Sequence, residues 1–139
     1  MLYETAADRE REFQILRHVC GRLHLIGLTM PKGWGYDAEI VKYPRVIAVA
    51  EVKHRNCPFD HHPDYTVDQA KLLFMAEQAR KRNLRVWLLI SWLGDVRYAR
   101  MSILGIPLLK VTEQPPRHDR PSDLPDMVSH VPLKRFVKV

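Results

Sequence analysis

The sequence predicts a mixed α/β fold, a central sheet of parallel and antiparallel strands flanked by helices. Two segments joined by a short basic break, Asp37 to Ile40 and the largely apolar run Val46 to Lys53, predict a β-hairpin. An amphipathic helix follows from about Thr66 to Asn83, and the apolar run Val86 to Trp92 behind it predicts a buried strand. A strand reached through a helix runs parallel to the strand before it, whereas a tight turn makes antiparallel neighbours, so the sheet is mixed. The 139 residues predict one domain spanning 1–139, large enough to bury a core without disulfides or a structural metal.

The first element is a helix from about Ala6 to Leu25, with Phe13, Leu16, Val19, Cys20 and Leu23 at helical spacing and a charged opposite side. Residues Thr29 to Gly35 have loop composition, with Pro31, Gly33 and Gly35 around Trp34. The common fate of a tryptophan is core packing, and that is expected for Trp34 in preference to stacking on a base. In the hairpin, Tyr43-Pro44-Arg45 is the expected turn, and the register it sets puts Asp37 opposite Glu51. His54-Arg55-Asn56 is a polar exit into a loop containing Cys57, Asp60, His61, His62 and Asp64. Structural zinc needs four ligands in recognisable pairs, and no second pair stands elsewhere in the sequence, so a polar, substrate-facing loop is the reading preferred. Thr66 reads as an N-cap with Gln69 completing a capping box, and Ala70, Leu73, Phe74, Ala76 and Ala79 form the apolar side of the helix. Arg97 to Met101 suggests an alternating strand, on which the odd spacing of Arg97 and Arg100 lets at most one point inward. From Val111 to Met127 the Pro, Asp and Arg content predicts a long loop, and Val128 to Val139 a final strand with Pro132 at an edge.

Glu51 is the exception in the apolar run Val46 to Val52, and Lys53, two residues on, faces the same way. Opposed carboxylates destabilise a sheet; a shared proton, a basic partner or a bound cation relieves the repulsion. A hard divalent ion suits such a pair, since Mg²⁺ is held by one or two carboxylates plus water and phosphate oxygens. A surface ion pair at a strand end is the competing reading. The formal charge of +6 and pI near 9.5 favour a polyanionic partner. Basic residues cluster at Arg80-Lys81-Arg82, at Arg97 and Arg100, and at Arg117 and Arg120, the first also serving a helix C-terminus. Two cysteines in unlike contexts, with neither an apolar run of membrane-spanning length nor a signal peptide, predict a reduced, soluble cytoplasmic protein without membrane contact.

Asp37 followed by Glu51-Val52-Lys53 resembles the Asp and Glu-x-Lys hairpin of PD-(D/E)XK nucleases, with Tyr36 where that pattern commonly has proline. The resemblance covers roughly residues 4 to 101, including a leading helix with glutamates. The closing Arg117-His118-Asp119-Arg120, Asp123 and Val131-Pro132-Leu133 is similar to the tails of small phage-encoded members. The resemblance implies a restriction-endonuclease-like core and Mg²⁺- or Mn²⁺-dependent hydrolysis of phosphodiester bonds. Asp37, Glu51 and the Val52 carbonyl would bind the metal. Lys53 would act electrostatically, because a lysine at its ordinary pKa is no general base at neutral pH. Glu12 is the candidate helix glutamate, with Glu10 its rival, and a second metal stays open. Gln69 and Lys71 are candidates for the phosphate or water, against capping for Gln69 and a solvated face for Lys71. Arg55, Arg80, Arg97, Arg100, Arg117 and Arg120, with Lys71, are the expected nucleic-acid contacts. DNA is the expected partner, as junction, duplex end or single strand, with RNA left open; a homodimer and a larger replication, recombination or packaging assembly are further candidates. A phage-encoded protein would work in the bacterial host cytoplasm. A binding subunit on the same fold, inactive or partner-dependent, is the alternative.

Overall fold

The computed structural model describes residues 5–114 and 126–139. Helix α1 (Ala6–Arg22) opens with a capping box in which the Thr5 hydroxyl accepts from the Asp8 N–H and the Asp8 carboxylate accepts from the Thr5 N–H. It stops at Arg22, short of the expected Leu25, because His24 turns into the left-handed region and releases the chain into β1 (Ile26–Thr29). This strand was not expected from the sequence, and Gly27 is the reason it can lie under α1. A Cβ there would meet the Leu16 side chain at 2.5 Å.

The hairpin forms from β2 (Ala38–Lys42) and β3 (Arg45–His54), with Ala38 opposite Ala50 and Ile40 opposite Ala48, the register expected. The turn itself is shorter than expected. Only Tyr43 and Pro44 form it, Arg45 pairs with Lys42, and an irregularity between Ile40 and Val41 absorbs the difference. Strand β5 (Arg85–Trp92) lies parallel to β3, and β6 (Asp95–Met101) returns antiparallel to β5. With β9 (Val137–Lys138) at the far edge, the sheet has six strands in the order β1-β2-β3-β5-β6-β9.

The crossover from β3 to β5 contains a second unexpected strand, β4 (Asp64–Asp68), and then α2 (Gln69–Arg82). Thr66 is therefore not the N-cap. It pairs with His130 in a sheet, and Asp68 caps α2 by accepting from the Lys71 N–H. The buried stripe of α2 is Leu72, Met75, Ala76 and Ala79, a step round from the side expected, while Leu73 and Phe74 are about two-fifths exposed. The sheet beneath selects the stripe that meets Val86, Leu88 and Ile90. Phe74 turns instead against Gly35, whose φ of +105° and missing Cβ leave the space its ring occupies.

The expected loop after Val111 begins and ends in strands. β7 (Val111–Gln114) and β8 (Asp126–Pro132) pair, and with β4 they form a three-stranded sheet in the order β4-β8-β7; residues 115–125 lie outside the described residues. The final segment is thus two strands separated by a turn at Leu133–Arg135, and β8 is a central strand, with Pro132 at its end. The two faces of the large sheet bury different cores. Ala48, Ala50, Val52, Trp87 and Leu89 lie under α1 with Ile15, Leu16 and Val19. Val49, Val86, Leu88 and Ile90 lie under α2, together with Tyr65 and Val131 of the smaller sheet and Phe136 just before β9. Full burial of each large side chain stabilises by roughly 1.5–3 kcal/mol. Among the described residues, no helix is long and apolar enough to cross a membrane.

Candidate active site

Strand alternation gives the site its face. Val49 belongs to the core under α2, so Glu51 and Lys53, on the same side of β3, also face α2. Asp37 stands one residue before β2 and is fixed three ways. Its N–H donates to the Ala50 carbonyl (3.0 Å), its carbonyl accepts from the Met30 N–H (3.0 Å), and its Oδ2 accepts from the Val52 N–H (2.8 Å). A strand residue directs its carbonyl to the same side as its N–H, so the Val52 carbonyl faces the Asp37 side, past the start of β2.

Glu51 is 4 % exposed. A buried carboxylate needs partners on both oxygens, and it has them: Oε1 lies 3.1 Å from Lys71 Nζ and Oε2 accepts from the Tyr65 hydroxyl at 3.3 Å. Lys71 Nζ also lies 3.6 Å from Asp37 Oδ1. One ammonium therefore bridges the two acids, and it projects from the first turn of α2. Burial pushes the Asp37 carboxyl above its ordinary value, against the pull of Lys71 and the Val52 N–H, and nearby Glu51 adds to the rise. For Lys71, burial acts to lower the pKa, but the two carboxylates outweigh it and the net shift is upward, so it stays charged. The Tyr65 hydroxyl is held neutral, mainly by burial and then by the Glu51 charge, and is a standing donor.

Lys53 is exposed on β3, and its charge helps to lower the Asp37 carboxyl from a distance. The lysine in contact with both acids is Lys71, which the sequence had left between a phosphate contact and a solvated face. Glu12 and Glu10 both line the same cleft as Asp37, Val52 and Lys71. Glu12 is the more buried, and Glu10 accepts from Gln14 along the helix at 2.8 Å. Gln69 opens α2 and, among the described residues, makes no hydrogen bond to either acid.

The arginines divide. Arg55 stacks over Tyr65 (4.8 Å) and donates to the Thr66 carbonyl, beside Glu51. Arg97 lies on the α2 face, 3.6 Å over Phe59 and paired with Asp95, whereas Arg100 is exposed on the α1 face. Arg80 pairs with Glu77 on the exposed side of α2. Arg117 and Arg120 lie outside the described residues. Trp34 is not core: it is 54 % exposed at the tip of a turn closed by its N–H to the Pro31 carbonyl. Tyr65 went unnoticed in the sequence because it falls where a loop is expected; the one available signal was that a buried Glu51 requires a donor.

A family model described as "Phage putative PDDEXK endonuclease" matches residues 1–139, the whole sequence given. The chain belongs to this family. Its mixed six-stranded sheet with flanking helices is a restriction-endonuclease-like α/β fold. The family is one of phage nucleases. No curated protein matches the chain.

A divalent ion would fit between Asp37 and Glu51. Two converging carboxylates already hold a cation, the Lys71 ammonium, between them. Among the described residues no three His, Cys, Asp or Glu side chains cluster as a ligand set. Two carboxylates with oxygen from water, main chain or phosphate are the donor set of Mg²⁺ or Mn²⁺ rather than of zinc.

Proposed function

We propose that the protein is a metal-dependent endonuclease that hydrolyses phosphodiester bonds in DNA. The observation that carries this reading is the pair Asp37 and Glu51, facing the same ammonium from adjacent positions on the hairpin. Asp37, Glu51 and the Val52 carbonyl would hold Mg²⁺ or Mn²⁺. A bound divalent ion polarises the scissile phosphate and makes a coordinated water nucleophilic near neutral pH.

The chain's own groups do the rest. The Val52 N–H fixes which Asp37 oxygen faces the cleft, and the Tyr65 hydroxyl does the same for Glu51. Lys71, charged throughout, gives up its place between the acids and stabilises negative charge on the phosphoryl oxygens. Lys53, exposed on the same face, draws the phosphate to the site. Arg55 extends the positive track beyond it.

Cleavage of labelled duplex, single-stranded and four-way-junction DNA with Mg²⁺ or Mn²⁺ tests the reading. Wild type is compared with Glu51→Ala, Lys53→Ala and Lys71→Ala at matched folding. Metal-dependent cutting lost in Glu51→Ala supports it, and the preferred substrate names the structure recognised. No cutting of any substrate while binding persists would move the protein to the binding-subunit reading.

A further inference from the structure

Beside the two acids lies a cleft of about 820 Å³, bounded by the N-terminal half of α1, residues 29–36 and the start of α2. Three aromatic rings from three separate elements line it: Phe13, Trp34 and Phe74, which are 38 %, 54 % and 41 % exposed. Large apolar rings left in water around one cavity imply an occupant. Its charges balance, with Arg9, Lys32 and Lys71 against Glu10, Glu12 and Asp37, so the walls suit a flat neutral group better than a phosphate. The cleft reaches the proposed catalytic centre, since Asp37, Val52 and Lys71, the lysine held against Glu51, line it.

We propose that this cleft binds an unpaired nucleobase next to the scissile phosphate, so that the substrate strand must be single-stranded or frayed where it is cut. The proposal rests on the nuclease reading above and narrows it to a substrate class. Base–aromatic stacking tolerates any sequence, because every base has a π-face. Within a duplex both faces of a base are covered by its neighbours, so an intact duplex offers these rings nothing. The cleft volume lies in the range of sites that enclose small ligands, enough to admit a nucleotide. The aromatic wall is preset by the fold: Met30 to Asp37 is closed at its base by the Met30 N–H on the Asp37 carbonyl, and Phe74 rests on Gly35.

The tryptophans make this measurable. Of the three in the sequence, Trp87 and Trp92 are 5 % and 4 % exposed, so an added ligand reports through Trp34. In EDTA, where no cutting occurs, oligothymidylate should quench the emission and a matched abasic strand should not. Trp34→Phe should lose the signal while a labelled oligothymidylate, followed by anisotropy, still binds. Trp34→Ala and Phe74→Ala should each weaken that binding about tenfold, with unchanged far-UV spectra. Equal binding of abasic and base-bearing strands, or unchanged affinity in both alanine variants, would overturn the proposal. Equal cutting of blunt duplex and single strand would also overturn it while leaving the nuclease reading intact. Base-dependent quenching without any cutting would uphold the base site and remove the nuclease reading instead.

Discussion

Lys71 is the residue on which the proposed chemistry turns. Its ammonium meets Glu51 at 3.1 Å and Asp37 at 3.6 Å, so under the proposed function a divalent ion entering the site would displace it. Lys71→Met should therefore tighten Mn²⁺ binding by roughly five- to tenfold, the scale of one partly screened ion pair, as measured by calorimetry. The same variant should cut on the order of 10²–10³-fold more slowly, the loss expected for one preorganised electrostatic group. A simple surface lysine would change neither. A second test concerns Glu39, buried two residues beyond Asp37 on the same face, where Tyr36 and Arg82 converge on its carboxylate. The Arg82 guanidinium, chiefly, holds the Glu39 pKa below its ordinary value of 4.5, against the cost of burial. A lowered folded-state pKa means stability that is present above the unfolded value and lost as pH falls through the folded one. Glu39→Gln should thus destabilise by about 1–2 kcal/mol in urea at neutral pH, discounted because Arg82 is partly solvated, and the gap should close below the carboxylate range.

At the scale of elements, the hairpin acids are held by strands from both sheets. Tyr65 lies on β4, in the smaller sheet, and reaches across to Glu51 on β3 of the larger one. Tyr65→Phe keeps the ring contacts with Trp92 and Phe136 and removes only the donor. It should lower metal affinity or turnover by roughly 10–100-fold, as loss of a ligand-orienting hydrogen bond does, with thermal unfolding little changed. Much of the large sheet was legible in the sequence because its strands are local and apolar: the register of Ala38 on Ala50 follows from the hairpin, and the parallel placing of β5 from the helix before it. What was not legible depends on partners distant in sequence. Thr66 and Gln69 match a capping box, yet pairing of Thr66 with His130 overrides that local preference and passes the cap to Asp68. β1 has no alternation strong enough to announce it, and its place depends on Gly27 under Leu16. Lys71 was in view as a candidate, but its role as a bridge between two acids needs three elements in place at once.

For the whole molecule, a charge of +6 sits on a protein whose proposed cleft is itself electrically balanced. Under the proposed function, attraction to nucleic acid would therefore belong to the surface at large, and its signature would be salt. Single-strand affinity should fall linearly on a log–log plot against salt concentration, with a slope of about −0.7 per phosphate neutralised, and the contribution of the base should be nearly salt-independent. The smaller sheet carries a further consequence. Its strands β4 and β8 join segments more than 60 residues apart, as in the Asp64–His130 contact at 2.9 Å, and its bond to Glu51 runs through one hydroxyl. Proteins open in cooperative units of unequal stability. Opening of that unit alone would leave the six-stranded sheet standing and take the Tyr65 hydroxyl from Glu51. Such a molecule is disarmed before it is denatured: on heating, cleavage should fade at temperatures where the far-UV signal of the large sheet and α1 is still intact, and return on cooling.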